Sequence, residues 1–220
     1  SGLRIFMHGG GVHTAGRLYS EQLLTELGVP LCRSWEEVSR SLDTNNLAFM
    51  PLGDWMPALQ RMIDLRNVLG LRSPIHSLAR ILNPLAARCG LQSIFHPGYQ
   101  AVHREASQLL GDHAIVVKGD GGEIELNPDA VCHLYGTEHG QNWDEDWPML
   151  SERRHVKPER LDSAHLQAVW RGDAEDDYGQ LAIIATMALA LRGLGLQRDA
   201  AFAEAEERWQ ARHLSSQPIR

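Results

Sequence analysis

No stretch of this 220-residue chain approaches the roughly 20 consecutive apolar residues that cross a bilayer, and no signal-peptide pattern is visible. The expectation is a cytoplasmic protein with no membrane partner. Cysteine is scarce: Cys32, Cys89 and Cys132 are odd in number, widely spaced and form no C-x-x-C pair. That excludes a disulfide framework and a zinc knuckle and fits a reducing compartment. The chain also lacks G-x-G-x-x-G, P-loop and H-E-x-x-H patterns, which removes the common dinucleotide, nucleotide-triphosphate and zinc-protease readings. Lysine is nearly absent, so almost all basic charge is arginine. The chain opens on Ser1 rather than Met, so a trimmed core with further sequence upstream is expected.

What is present is ordinary for a globular domain: 43% hydrophobic and 22% charged residues, enough to bury a core without staples. The net charge of −7 is uneven. Residues 1–120 carry 11 Arg and Lys against 10 Asp and Glu, whereas residues 121–220 carry 10 against 18. Bulk charge gives no support for nucleic-acid binding, although an arginine patch on the first half remains open.

Along the chain, strand-like and helix-like patterns alternate. Leu3–Met7 reads as a buried strand running into His8-Gly9-Gly10-Gly11. Arg17–Leu27 is amphipathic and stops at Gly28. Ser34 and Glu37 form a capping-box pattern that opens a helix to about Leu42. Leu47–Pro51 is a second strand, and Trp55–Leu69 is a helix closed by Gly70. Ser93–His96 is a short strand, Tyr99–Leu110 a helix, Ala114–Lys118 a third buried strand, and Glu123–Leu126 extended. Residues 137–160, rich in acidic, Gly, Pro and Trp residues, predict an irregular excursion, with Asp144, Glu145 and Asp146 in a solvated loop. Tyr178–Leu194 and Asp199–His213 predict a helical hairpin. Alternation of this kind implies parallel pairing: an α/β fold with a mainly parallel sheet flanked by helices, spanning residues 1–220 as one domain.

His8-Gly9-Gly10-Gly11 matches the oxyanion-hole tetrapeptide of some hydrolases, but no G-x-S-x-G nucleophile elbow follows. Two readings stay open. The glycines supply a tight turn that needs positive φ, or their backbone N–H groups hold an anion at the start of the next helix. Lone histidines and the acidic run at residues 175–177 read as structural.

The segment Met56–Pro84, MPALQRMIDLRNVLGLRSPIHSLARILNP, resembles the anthranilate phosphoribosyltransferase family. There, a helix ending V-R-x-x-L-G-h-R-T leads into F-N-x-L-G-P-L-x-N-P. Leu65-Arg66, Leu69-Gly70, Arg72-Ser73 and Asn83-Pro84 fall in register, and Val116–Gly119 is similar to the family's V-V-H-G turn. The resemblance implies the large domain of the nucleoside phosphorylase and phosphoribosyltransferase fold, with the family's small helical domain and pyrophosphate loop upstream. It implies a phosphoribosyl pyrophosphate site at His8, Gly9, Gly10, Arg17 and Ser20. It also implies an acceptor-facing arginine at Arg66, with Arg72 beside it, a homodimer when full length, and Mg²⁺ at an acidic doublet. That doublet falls at Ile124-Glu125, leaving Glu125 and its neighbour Glu123 as candidate ligands. Other departures are Met7 for a family lysine, His76 for an asparagine, and Ala79-Arg80 for glycine-proline. Arg66 and Arg72 have a structural alternative, tying the loop to nearby carbonyls. The incomplete donor site resembles a divergent branch, named transferase by homology, in which some members bind single-stranded DNA or RNA along a basic groove. That branch implies a second function class: a non-catalytic binder of single strands.

Overall fold

The computed structural model describes residues 3–10, 19–71, 73–119, 123–152, 154–156 and 163–213. The chain divides into two compact units, Ser1–Ala79 with Pro158–Ala174 and Ser216–Arg220, and Arg80–Lys157 with Glu175–Ser215. It is α/β, with parallel strand pairs flanked by helices, as the alternating pattern predicts.

In the first unit, β1 (Ile5–Gly9) pairs in parallel with β2 (Leu47–Pro51), placing His8 beside Met50 and Gly9 beside Pro51. Helix α1 (Ser20–Glu26) covers the described part of the predicted first helix. Helix α2 (Trp35–Asn45) starts as its capping box predicts: Ser34 Oγ accepts from Glu37 N–H at 3.2 Å, and Glu37 accepts from Arg33 N–H at 2.6 Å. Cys32, Val38, Ala48 and Met50 form the buried cluster, with Phe6, Leu42 and Trp55 packed on it. The predicted helix over 55–69 is broken into α3 (Leu52–Trp55), α4 (Pro57–Asp64) and α5 (Arg66–Leu69). The first break is caused by Pro57, whose ring drives the preceding residue out of the helical region, so that Met56 sits at φ −132° and ψ 64°. A short α6 (Ile75–Leu78) follows.

The second unit holds a sheet in the order β3 (Gly90–Ile94), β4 (Ala114–Lys118), β5 (Cys132–Glu138), β6 (Gln141–Trp147). β3 and β4 are parallel; β5 and β6 are antiparallel. Helix α7 (Gln100–Leu110) connects β3 to β4. The first unit also contains α8 (Ser163–Arg171), which the sequence pattern did not reveal. Its Gln167 donates to Glu26 O at 3.1 Å. Helices α9 (Asp177–Gly193) and α10 (Arg198–Gln210) form the predicted hairpin in the second unit.

The β5–β6 hairpin corrects the irregular excursion expected over 137–160. Its two turn residues, His139 (φ 49°) and Gly140 (φ 76°), are both left-handed, as a two-residue hairpin turn requires. Strand alternation then splits the acidic run between the faces of the sheet. Asp144 pairs with Arg104 of α7 on one face, while Glu145 accepts from Arg192 of α9 at 2.8 Å on the other. Asp146 pairs with His133 at 2.5 Å. Trp143 and Trp147 follow the α9 face, under Arg192 at 4.4 Å and against Phe202 at 4.8 Å. The loop became a strand because each acid found a basic partner distant in sequence.

Candidate ligand-binding site

In α/β folds the carboxyl ends of parallel strands are where ligands meet backbone and loops. The first unit places the glycine run there. Gly9 ends β1 and Gly10 follows, next to Gln60 and Ile63 of α4. Neither glycine has positive φ. A Cβ on Gly9 would lie 3.4 Å from Phe49 Cζ, and one on Gly10 would lie 3.4 Å from Gln60 Oε1; both are ordinary contacts. For these two residues, the positive-φ reading of the turn is overturned.

His8 is half-buried within an aromatic cluster. Its ring centre lies 5.9 Å from Phe6 and 5.5 Å, edge-on, from Trp55. Trp35 completes the cluster at 5.9 Å from Phe6 and 5.5 Å from Trp55, and stays 42% exposed. The Trp55 indole N–H is shielded from solvent and has no hydrogen-bond partner among the described residues. Sequence reasoning passed over both tryptophans. The available signal was composition: six Trp against four Phe and four Tyr. Ser20 opens α1 and Arg66 opens α5, both half-buried. Arg17 and Arg72 lie outside the described residues.

Glu123 and Glu125 belong to the second unit, after the Val116–Gly119 turn. Gly119 is required there by close approach: a Cβ would fall 1.9 Å from Ser93 Oγ and 2.3 Å from the Glu123 carbonyl oxygen. Glu125 accepts from the Tyr178 hydroxyl at 2.8 Å. These two residues line a cavity of about 90 Å³ with Gln100, Lys118, Asn127 and His133. Behind Tyr178, the His155 ring stands 5.7 Å away, and its Nδ1 lies 2.7 Å from Asp129. Burial works against the Asp129 carboxylate, but hydrogen bonds from the His155 backbone and ring outweigh it and lower the Asp129 pKa.

Glu123 and Glu125 stand either side of Ile124 on an extended segment, and Glu125 is engaged by Tyr178. Among the described residues, no group of three His, Cys, Asp or Glu side chains could hold a metal ion. They therefore do not fit a protein-built cage; a Mg²⁺ here would have to arrive with a ligand's own phosphates.

No family model matches the chain. The anthranilate phosphoribosyltransferase of Ralstonia pickettii is 33% identical over 129 residues, which cover 58% of this chain and 37% of that protein. That of Paracidovorax citrulli is 28% identical over 183 residues, 79% of this chain and 52% of that one. Among solved structures, the anthranilate phosphoribosyltransferase of Thermus thermophilus superimposes with a TM-score of 0.75 at 20% identity, covering 96% of this chain and 65% of its own. The Saccharomyces cerevisiae protein, solved in complex with PRPP and Mg, gives 0.67 at 16% identity, covering 96% and 61%. The chain thus spans less than two thirds of the length of each of these relatives. Among the described residues, no helix is long and apolar enough to cross a membrane.

Proposed function

We propose that this anthranilate phosphoribosyltransferase-like chain binds a phosphate-bearing ligand of the phosphoribosyl pyrophosphate class at the glycine end of β1. The observation that supports this most is the pair Gly9 and Gly10. Neither backbone conformation nor packing demands glycine at either position. A residue kept small where alanine would fit leaves room for backbone N–H groups to approach an anion. His8 precedes the pair in β1; in this reading Ser20, at the start of α1, would contribute a hydroxyl and Arg66, at the start of α5, a guanidinium suited to phosphate or carboxylate.

Pentosyl transfer asks more: the leaving pyrophosphate must be neutralised as it departs. The described residues give no carboxylate cage for a cation. The proposal is therefore donor binding, with any Mg²⁺ carried in on the donor's own phosphates.

Calorimetry with phosphoribosyl pyrophosphate, with and without Mg²⁺, tests the reading on the whole chain. Saturable binding is expected, weakened at least roughly tenfold by Gly10→Val with unchanged circular dichroism. No binding, or a Gly10→Val variant that binds like the parent, sinks it. A fluorescence assay with anthranilate reports transfer in the same samples.

One observation favours a second reading, a single-stranded nucleic acid. Trp35 presents an exposed ring beside the same strand ends, and such rings stack bases. Oligonucleotide affinity that falls steeply with salt, is weakened by Trp35→Ala, and resists competition by the donor would select it.

A further inference from the structure

A second cavity, of about 240 Å³, opens in the second unit at the end of the strands opposite the Gly119 turn. Arg88 lies just before β3, His113 just before β4, and Glu138 and His139 where β5 turns into β6. Parallel pairing of β3 with β4 and antiparallel pairing of β4 with β5 gather these residues at one end of the strands. Gly193 and Leu194, at the carboxyl end of α9, close the wall.

The wall is built to stay in place. A Cβ on Gly193 would lie 2.5 Å from Cys89 Sγ, so glycine lets the helix end press down on the chain beside Arg88. The His113 carbonyl accepts from Gly90 N–H at 2.9 Å, and its ring is hydrogen-bonded to the Arg88 backbone. Burial lowers the His113 pKa, so the ring is neutral near pH 7. Facing the cavity are the Arg88 guanidinium, the Glu138 carboxylate and the His139 ring, whose Nε2 lies 3.8 Å from Glu138 Oε1. The 17-residue α9 adds the partial negative charge of its carboxyl end, which favours a cation.

We propose that this cavity binds a small zwitterion of the α-amino acid class. Arg88 takes the carboxylate as a forked donor. Glu138 and the end of α9 take the ammonium. Drug-sized pockets run to about 300–1,000 Å³, so a smaller ligand, the size of one amino acid, suits this volume. The site is built from residues of the second unit and does not rest on the reading of the glycine end of β1.

The test is calorimetry and thermal shift on the whole chain, with the common L-α-amino acids as probes. At least one should bind saturably. Its N-acetyl derivative, which lacks the cation, and its amide, which lacks the carboxylate, should each bind at least roughly tenfold more weakly. Arg88→Met and Glu138→Gln should weaken the parent ligand to a similar degree. The derivatives carry the test even where a variant fails to fold. No binding by any amino acid, or a derivative as tight as its parent, overturns the proposal.

Discussion

Replacing Gly119 by alanine should open the Val116–Gly119 turn, and the size of the effect can be worked from its surroundings. The added Cβ would meet Ser93 Oγ at 1.9 Å, Ser93 Cβ at 3.0 Å and the Glu123 carbonyl oxygen at 2.3 Å. Ser93 Cβ is fixed by its strand and the Glu123 oxygen is backbone, so even if Ser93 Oγ turns aside these two walls stay in place. Overpacking of this kind costs about 1–3 kcal/mol. Weakening the hydrogen bond from Gly119 N–H to the Ile94 carbonyl, 3.1 Å long, adds about 0.5–1.5 kcal/mol. A total of about 2–4 kcal/mol should lower Tm by about 5–15 °C in a chain of this size. Ser93 Oγ is buried without a hydrogen-bond partner among the described residues. Ser93→Ala alone should therefore leave stability unchanged or raise it slightly. In the double variant, removing Oγ relieves the closest clash but leaves the Glu123 carbonyl, so only part of the loss should return. Calorimetric unfolding of the four proteins completes the cycle. A Gly119→Ala Tm within about 1 °C of the parent, or full recovery in the double variant, would refute the reasoning.

Gly136→Ala should destabilise the hairpin by a comparable mechanism, because its Cβ would fall 1.9 Å from Trp143 Cε2, a ring held under Arg192. Near-UV circular dichroism should show the Trp143 environment change, whereas Gly98→Ala, with nothing within 4 Å, should not. His103 is 3% exposed, and its Nδ1 lies 3.0 Å from Gln92 Oε1. Burial first, then Arg80, lowers its pKa below the unfolded value of 6.5. The unfolded state then binds more protons, so stability is full above pH 6.5 and declines as pH falls below it. Urea denaturation across that range should show the decline, and His103→Gln should flatten it. The three thiols are all raised by burial, Cys89 to about 12. Alkylation mapped by mass spectrometry should find Cys32, inside the buried cluster, and Cys89, whose thiol is raised furthest, both slower than Cys132 in the native protein; early labelling of either would contradict its placement.

Much of the first unit was legible because its signals are local. Ser34 and Glu37 set the start of α2. Gly70, at φ 72°, marks a helix end at which a side chain would be strained. The Met56–Pro84 pattern pointed to a family whose solved members share this fold. The start of the helix expected at Trp55 falls instead at Pro57, because the proline ring drives Met56 before it out of the helical region. The glycines of β1 were visible, but whether they serve conformation or approach was not. That depends on φ and on the distances to Phe49 and Gln60.

The sequence by itself determined the strand–helix alternation, the helix caps and the family resemblance, because each rests on residues a few positions apart. Tertiary structure alone decided that an acidic run is a strand, that two tryptophans stand beside His8, and that Arg88, His113 and Glu138 share one cavity. Asp144 and Glu145 are neighbours in the chain, yet strand alternation sends them to opposite faces, where Arg104 and Arg192 receive them. Charge pairs formed across 40 and 47 residues leave no trace in local periodicity, since the energy that fixes them exists only once the sheet has brought the partners together.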